Sequence, residues 1–202
     1  IIDEVHSSQN GELSKELKLN SQIIPILIRK NDKYLFLRER INLARKKKAD
    51  LFISLHADAA ISKDARGISI FSLSDVASDK EAEYLAKKEN LSDLIGDPNL
   101  KNEELIVKNT LINMFQRESM NESTKLAEYL LKELQTLPNV KQRGHRFAGF
   151  AVLKSHDIPS LLIEMGFLSN KEDEKKLLSK NYRKRLIKRI AIGIEKYISS
   201  FQ

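Results

Sequence analysis

The sequence predicts an α/β fold, in which helices flank a mixed β-sheet and a helical segment is inserted at about residues 74–121. Two patterns lead to this fold class. Continuous apolar runs at 51–55 and 160–163 have the length and composition of buried strands. Between such runs, apolar residues recur at helical spacing. At 202 residues the chain suits one domain, so we expect residues 1–202 to form a single domain that carries the insertion.

The first third of the chain is expected to alternate short strands with helices. A strand ends at residue 3, and a short amphipathic helix covers 12–19. The β-branched run at 23–28 predicts a strand, which Pro25 would place at a sheet edge or a bulge. Helical spacing follows, and the next apolar runs predict two further strands. These three segments cover residues 38–48, 50–56 and 67–73.

The inserted segment 74–121 is expected to be helical, with a break at Gly96-Asp97-Pro98. A separate helix over 122–137 follows, because leucines recur there every four residues until Pro138-Asn139 ends the pattern. Short apolar runs then predict strands at 148–153 and 160–164. The remaining residues, 172–201, are expected to be helical.

Composition excludes several kinds of function. The chain has no cysteine, which excludes disulfides, cysteine-ligated zinc and thiol catalysis. Its net charge of +7 is compatible with nucleic acid, with an anionic cell-envelope polymer or with a solvated surface. Aromatic residues are only 6% and Trp is absent, so nucleic acid is the least favoured partner.

Hydropathy along the chain bears on membranes and export. No apolar run approaches the roughly 20 residues that a bilayer helix needs, so we expect no membrane span. The start of the sequence has no charged-then-apolar leader, so we expect any signal peptide to be absent from it.

His56 and Glu164 are the main candidates for chemistry, since each ends a buried apolar strand. In α/β proteins, ligands and catalytic groups gather at the carboxyl ends of strands. Burying the Glu164 carboxylate costs several kcal/mol unless it is paired or holds a metal. Zinc hydrolases combine such residues, although His56 could equally be a hydrogen-bonded residue at a strand end.

Several segments resemble one known family. These are "ADLFISLHADAA" followed by "RGISIF", the later "RFAGFAVLKSHDIPSLLIEMGFLSNKEDEKKL", and "IRKNDKYLFLRERINLARKKKAD" before them. Together they resemble the zinc-dependent N-acetylmuramoyl-L-alanine amidases, the cell-wall amidases that include the bacterial division enzymes. The resemblance covers nearly everything from about residue 12 to the end of the chain.

The resemblance implies a role for each matched residue. His56 matches the second zinc histidine, and Glu164 matches the catalytic glutamate. His6 takes the place of the first zinc histidine, without the family's Pro-Gly before it or Gly-Gly after it. Glu12 is the nearest match to the zinc glutamate, and Glu4 is its rival. The alternative for His6 and Glu12 is ordinary surface.

The inserted segment resembles the helical insertion of the Gram-negative division amidases, in which a glutamate occupies the zinc and blocks the cleft. Glu89 is the residue that matches this inhibitory glutamate, the alternative being one exposed acid among many. Apolar residues further along would offer an activator a docking site, although such residues more often belong to a core. They are Leu111, Ile112, Met114 and Phe115.

We therefore expect a Zn²⁺ enzyme that hydrolyses the amide between N-acetylmuramic acid and L-alanine in peptidoglycan. The resemblance also implies export to the periplasm, a role in cell division, autoinhibition and a protein activator. His145 is not expected to bind the metal because Arg143 and Arg146 flank it, and His156 has no match among the family's zinc ligands. The alternative function is a catalytically silent module of this fold, which binds the cell wall or a division partner.

Overall fold

A five-stranded sheet forms the centre of the computed structural model, which describes residues 1–4, 11–29, 34–93 and 110–201. The strand order is β1-β2-β5-β3-β4. β1, β2 and β5 run parallel, β3 is antiparallel to β5, and β4 is parallel to β3. The predicted mixed sheet is therefore confirmed. The strands are Ile2–Glu4 (β1), Phe52–His56 (β2), Ile68–Leu73 (β3), Gln142–Ala148 (β4) and Ser160–Glu164 (β5).

Helices cover both faces of the sheet, as the sequence predicts. In chain order they are Glu12–Leu17 (α1), Leu37–Lys46 (α2), Lys80–Asn90 (α3), Thr110–Leu134 (α4), Lys171–Leu178 (α5) and Lys180–Ser199 (α6), with a 3₁₀ turn at Ala151–Leu153. α1, α4 and α6 pack on one face, which we call the apolar face. α2, α3 and the 3₁₀ turn pack on the other, which we call the polar face.

The apolar face forms the larger part of the core. The leucines that recur every four residues along α4 are Leu126, Leu130 and Leu134, and each is fully buried. α4 lies very close to α6: a Cβ atom on Gly193 would come within 2.9 Å of the Leu130 side chain. The helical spacing of the leucines in 122–137 predicts this helix correctly because these leucines form the face that is buried against other elements.

Strand alternation puts polar side chains on the polar face. Apolar β2 residues such as Ile53 and Leu55 belong to the apolar-face core, so Ser54 and His56 between and after them point the other way. On β1, Ile2 is directed to the apolar-face core, which leaves Asp3 for the polar face. The polar face therefore buries hydroxyl, imidazole and carboxylate groups beneath α2 and α3.

Two predicted strands differ from the structure. Residues 23–28 form no strand, and Leu27 makes only a single bridge to Ile2, consistent with the backbone N–H that Pro25 lacks. The strand predicted at 148–153 instead spans 142–148, and 151–153 form the 3₁₀ turn. β4 was missed because it is a half-buried edge strand that contains Arg143 and Arg146, which break an apolar run.

The predicted boundary at residue 121 is also wrong, since α4 continues without interruption from 110 to 134. The segment 172–201 is two helices that meet at Ser179, which has an extended backbone. The break predicted at Gly96-Asp97-Pro98 lies outside the described residues. Along the described ranges, no helix has both the length and the apolar character to cross a bilayer.

Gly67 fixes the start of β3 against β4. Its φ is +100°, and a Cβ atom there would come within 2.1 Å of the Lys141 carbonyl oxygen. Its N–H donates to the buried Asp173 carboxylate at 2.7 Å, and Phe167 N–H donates to the same oxygen at 3.1 Å. Asp173 thus joins the start of β3 to the segment that follows β5.

Candidate active site

The carboxyl ends of β2 and β5 bring His56 and Glu164 together. The two residues are directly paired in the parallel register, and each is only 1% exposed. On the other side of β5, Ser69 of β3 is paired with Glu164 and is fully buried. The sequence prediction that these two strand ends form one site therefore matches their placement in the sheet.

His56 has a partner for each ring nitrogen. Nδ1 is 3.2 Å from Asp58 Oδ2, and Nε2 is 3.1 Å from Ser54 Oγ. Burial opposes the charged imidazolium, but the carboxylates of Glu89 and Asp58 outweigh it and raise the pKa of His56 to about 9. The Asp58 contact fixes the orientation of the ring and leaves Nε2 facing α3.

Glu164 is held as a buried carboxyl group. Its Oε1 accepts a hydrogen bond from the Asp58 backbone N–H at 3.0 Å, and the Gly166 N–H also donates to the carboxylate. Burial, together with the nearby Asp58 charge, raises the pKa of Glu164 to about 8. A carboxyl group with a pKa near neutrality can both accept and release a proton at the pH of most cells.

Arg40 is a charged residue of the site that sequence reasoning missed. Its guanidinium is 3% exposed and lies 3.0 Å from Asp3 Oδ2 and 3.5 Å from Glu89 Oε1. A signal was available: Leu37 and Ile41 mark the buried stripe of α2, and Arg40 falls within it at helical spacing. A charged residue on such a stripe needs a buried partner.

α3 lies over the site, and Glu89 at its carboxyl end approaches the histidine. Glu89 Oε1 is 4.0 Å from His56 Nε2, and the Glu89 side chain is 12% exposed. Polar contacts hold this end of α3 before and after Glu89: Lys88 Nζ lies 3.4 Å from Asp58 Oδ1, and Asp93 accepts from the Leu37 N–H at 2.9 Å. Of the inserted residues, the structure therefore brings Glu89 itself to the site.

The structure describes the side chain of one further predicted metal ligand, Glu12, and does not bring it into a metal-binding group with His56. His6 lies outside the described residues, as does the side chain of Glu4. Glu12 begins α1, where its Oε1 is 3.7 Å from Arg183 Nε and its buried Oε2 has no hydrogen-bond partner in the described structure. Within the described ranges, no group of three or more His, Cys, Asp or Glu side chains could hold a metal ion.

The donor chemistry at His56 nevertheless suits zinc. Imidazole nitrogen and carboxylate oxygen are the zinc ligands available to a chain without cysteine, and both converge at His56 Nε2 and Glu89 Oε1. His56 also has the carboxylate partner on its other nitrogen that metal-binding histidines generally have. The described residues thus fit part of a zinc site.

The other two described histidines have partners elsewhere. His145 Nε2 forms a hydrogen bond with Ser72 Oγ at 2.8 Å, and the His156 ring contacts Arg45. Of the apolar residues expected to dock an activator, Met114 and Phe115 are more than half exposed on α4, and the side chains of Leu111 and Ile112 lie outside the described residues.

Two solved structures that share this fold are N-acetylmuramoyl-L-alanine amidases. N-acetylmuramoyl-L-alanine amidase AmiC2 of Nostoc punctiforme matches with a TM-score of 0.67 at 20% identity, covering 98% of this chain and 96% of that one. The catalytic domain of CwlV from Bacillus (Paenibacillus) polymyxa matches with a TM-score of 0.63 at 19% identity, covering 98% and 97%. At these identities the likeness establishes the fold.

Sequence comparison is closer. The chain is 37% identical to N-acetylmuramoyl-L-alanine amidase AmiC of Escherichia coli over 86% of its length, and 32% identical to AmiA of that species over 87%. It spans 42% of AmiC and 61% of AmiA. The family model for N-acetylmuramoyl-L-alanine amidases (Amidase_3) matches residues 6–196. Because that match leaves out only the first five and last six residues, the chain belongs to the N-acetylmuramoyl-L-alanine amidase family.

Proposed function

We propose that this chain hydrolyses the amide bond between N-acetylmuramic acid and L-alanine in peptidoglycan, with Zn²⁺ as its cofactor. The observation that supports this most directly is the pairing of two buried groups, His56 and Glu164, at adjacent strand ends. An imidazole that can hold a metal and a carboxyl group that can move a proton are the two parts that amide hydrolysis needs. Family membership agrees with this reaction.

The zinc ligands would be His56 and, from the resemblance, His6 and Glu12. Bound Zn²⁺ would polarise the scissile carbonyl and lower the pKa of a water molecule. The buried, unpartnered Oε2 of Glu12 is a carboxylate oxygen that is free for such a role. His56 is already oriented for it by Asp58, which can accept a hydrogen bond from Nδ1–H. The lone pair of Nε2, which lies 3.1 Å from Ser54 Oγ, would then bind the metal.

Glu164 would act as general base and then as general acid. In its ionised form it takes a proton from the attacking water, and it then delivers that proton to the leaving amine of L-alanine. The Asp58 and Gly166 N–H groups hold the carboxylate in place through this exchange. Its pKa of about 8 suits both transfers near neutral pH.

We further propose that α3 inhibits the enzyme and that a protein activator removes it. Glu89 Oε1 of α3 lies 4.0 Å from His56 Nε2, so its carboxylate could take the ligand position that water needs. The exposed Met114 and Phe115 on α4 are candidates for activator contact. We also propose that the protein acts in the periplasm, in cell division, and its amidase relatives in Escherichia coli and Haemophilus influenzae support this.

The test is hydrolysis of purified, dye-labelled peptidoglycan by the wild type and by Glu164→Gln. The variant keeps the size of the side chain and removes its proton transfer, so dye release should fall by about 10²–10⁴-fold. Zinc content, measured by elemental analysis, should be unchanged because Glu164 is not proposed as a ligand. Undiminished release by the variant would reject the role of Glu164.

The alternative is a catalytically silent module that binds the cell wall or a division partner. The reason to keep it is the first zinc motif, in which His6 lacks the family's Pro-Gly before it and Gly-Gly after it. His56→Ala separates the two functions. The enzyme should lose zinc with this change, whereas a silent module need hold no zinc in either form. Equal zinc in wild type and variant would remove His56 from the site.

A further inference from the structure

The side chain of Asn90 joins the carboxyl end of α3 to the backbone beyond β4 through two hydrogen bonds, which we call the clamp. Asn90 Nδ2 donates to the Gly149 carbonyl oxygen at 2.9 Å, and Asn90 Oδ1 accepts from the Ala151 N–H at 2.8 Å. Among the described residues, the Gly149 carbonyl and the Ala151 N–H have no other hydrogen-bond partner. We call the two backbone groups the Gly149/Ala151 pair.

The Gly149/Ala151 pair has the pattern by which a sheet edge accepts a parallel strand. In a parallel ladder, one residue donates its N–H to the carbonyl before a neighbouring residue and accepts from the N–H after it. Gly149 and Ala151 flank Phe150 in this way, and Phe150 is extended, with φ −67° and ψ 118°. β4 is the edge strand of the sheet that the described residues form, and none of them adds a further strand on this side. The Asn90 amide supplies the donor and acceptor that a peptide residue would supply.

The clamp is next to the candidate active site. Asn90 follows Glu89, whose carboxylate lies 4.0 Å from His56 Nε2. Consecutive Cα atoms are about 3.8 Å apart, so the pair lies within a few residues' length of the histidine. A movement of α3 that withdraws Glu89 also withdraws Asn90. The Gly149/Ala151 pair then loses its partner, and another donor and acceptor would restore the lost hydrogen bonds.

We infer that the Gly149/Ala151 pair is a subsite for the peptide of the substrate. When α3 leaves, an extended residue of the stem peptide beyond L-alanine replaces Asn90, donating its N–H to Gly149 and accepting from Ala151. The subsite recognises the peptide backbone and not a particular side chain, as in other complexes in which a peptide adds a strand to the edge of a sheet. This inference rests on the proposed function, because the stem peptide belongs to that substrate.

Ala151→Pro removes the donor of the pair with little expected change in the fold. Ala151 is the first residue of the 3₁₀ turn, a position that proline favours, and the backbone of Phe150 suits the residue before a proline. Ala151→Gly is the matched control, since it keeps the N–H. Both changes are made in Asn90→Ala protein, in which the clamp is already lost. In that background, any difference between the proline and glycine variants comes from the hydrogen bond between the Ala151 N–H and the substrate.

The measurement is kcat/KM on two soluble substrates, N-acetylmuramoyl-L-alanine and N-acetylmuramoyl tripeptide. Relative to the glycine control, proline should lower kcat/KM for the tripeptide by about three- to tenfold, the effect of one hydrogen bond. It should leave the shorter substrate unchanged, because that substrate has no residue to reach the pair. Equal losses on both substrates, or no loss on the tripeptide, would overturn the subsite.

A second measurement keeps the subsite testable if no variant hydrolyses either substrate, which would count against the proposed function, or if the proline variant unfolds. Free L-Ala-D-Glu-diaminopimelate tripeptide is titrated into ¹⁵N-labelled Asn90→Ala protein. The Ala151 amide resonance should shift on binding, whereas in Asn90-containing protein it should not. An unshifted Ala151 amide at saturating peptide would overturn the inference by itself.

Discussion

α3 and α4 cover opposite faces of one sheet and are held there by different forces. α4 buries a row of leucines at the apolar face, each with no exposed surface. α3 buries three small or medium apolar residues, Ala82, Leu85 and Ala86, and ion pairs and hydrogen bonds join its two ends to the rest of the structure. The inserted segment was expected to contain α3 and the part of α4 up to residue 121, and it is the remainder of α4 that belongs to the main core.

This difference predicts that α3 detaches from the sheet at a lower cost in free energy than α4 does. Water and other polar groups can replace the polar contacts of α3, so its removal costs mainly the exposure of Ala82, Leu85 and Ala86 and of the surface beneath them. The leucines of α4 have no such substitute, since their exposure costs about 1.5–3 kcal/mol each. A covering helix that must leave an active site is therefore expected to be attached as α3 is, and a helix that holds the sheet together as α4 is.

The largest expected effect is in α4. Leu130→Ala should lower the free energy of unfolding by about 2–5 kcal/mol, because it leaves a cavity between α4 and α6. Urea unfolding followed by circular dichroism measures the loss. Peptidoglycan hydrolysis by the folded fraction should not rise. A loss under about 1 kcal/mol would mean that α4 is no more firmly attached than α3.

The sequence predicted the leucine-rich helix and the two buried strands better than it predicted the polar contacts that surround α3. Leucine spacing in 122–137 and the apolar runs that end at His56 and Glu164 are local signals of burial, and the structure confirms these elements. The partners of Arg40 are Asp3, 37 residues away, and Glu89, 49 residues away. Such pairings depend on the completed fold, and one sequence does not specify them.

The next largest effect is expected at the contact of α3 with the site. Glu89→Ala should raise peptidoglycan hydrolysis without an activator by roughly tenfold, equivalent to about 1.4 kcal/mol removed from closure. Arg40 keeps Asp3 as its partner in this variant, so the fold should be retained. Dye release at equal enzyme concentration measures the gain.

Glu83→Ala is the matched control for Glu89→Ala. Glu83 lies on the same helix but is exposed and pairs only with Lys87, so its loss should leave hydrolysis unchanged. If Glu89→Ala stays folded and zinc-loaded yet shows no gain over Glu83→Ala, inhibition through Glu89 is wrong. α3 would then be a passive part of the structure.

The smallest effect is expected at the other end of α3. Asp79 caps the helix by accepting from the Glu81 and Ala82 N–H groups, and it also pairs with Arg146. Asp79→Asn keeps an acceptor for the cap and removes the charge, so the free energy of unfolding should fall by under about 1 kcal/mol at neutral pH. Asp79→Ala loses both and should cost about 1 kcal/mol more.

Acid should abolish the difference between wild type and Asp79→Asn. The Arg146 hydrogen bond lowers the pKa of Asp79 below its ordinary 3.8. The folded state therefore binds this proton less readily, and the ion pair stabilises the protein above the ordinary pKa. Its contribution disappears as the pH falls through the lowered pKa. Thermal melting from pH 7 to pH 2 checks this, and a difference that persists at the lowest pH would contradict it.

Other parts of the fold were hidden from the sequence for physical reasons. β4 is an edge strand with charged residues, so it lacks the apolar run that reveals a buried strand. α4 crosses residue 121 because Ser119 and Ser123 are buried within it, and Ser123 Oγ bonds the Ser119 carbonyl in the helix. Such small polar residues favour caps and turns in local statistics, and only packing shows that they continue a helix.

Gly67 shows that tolerance to mutation can be low far from any chemistry. Every other amino acid would place a carbon atom where the Lys141 carbonyl already lies, so β3 and β4 could not stay in register. In a survey of all single substitutions, Gly67 should therefore stand out as sharply as His56 or Glu164. The reason at this position is a lack of space, and no reacting group is involved.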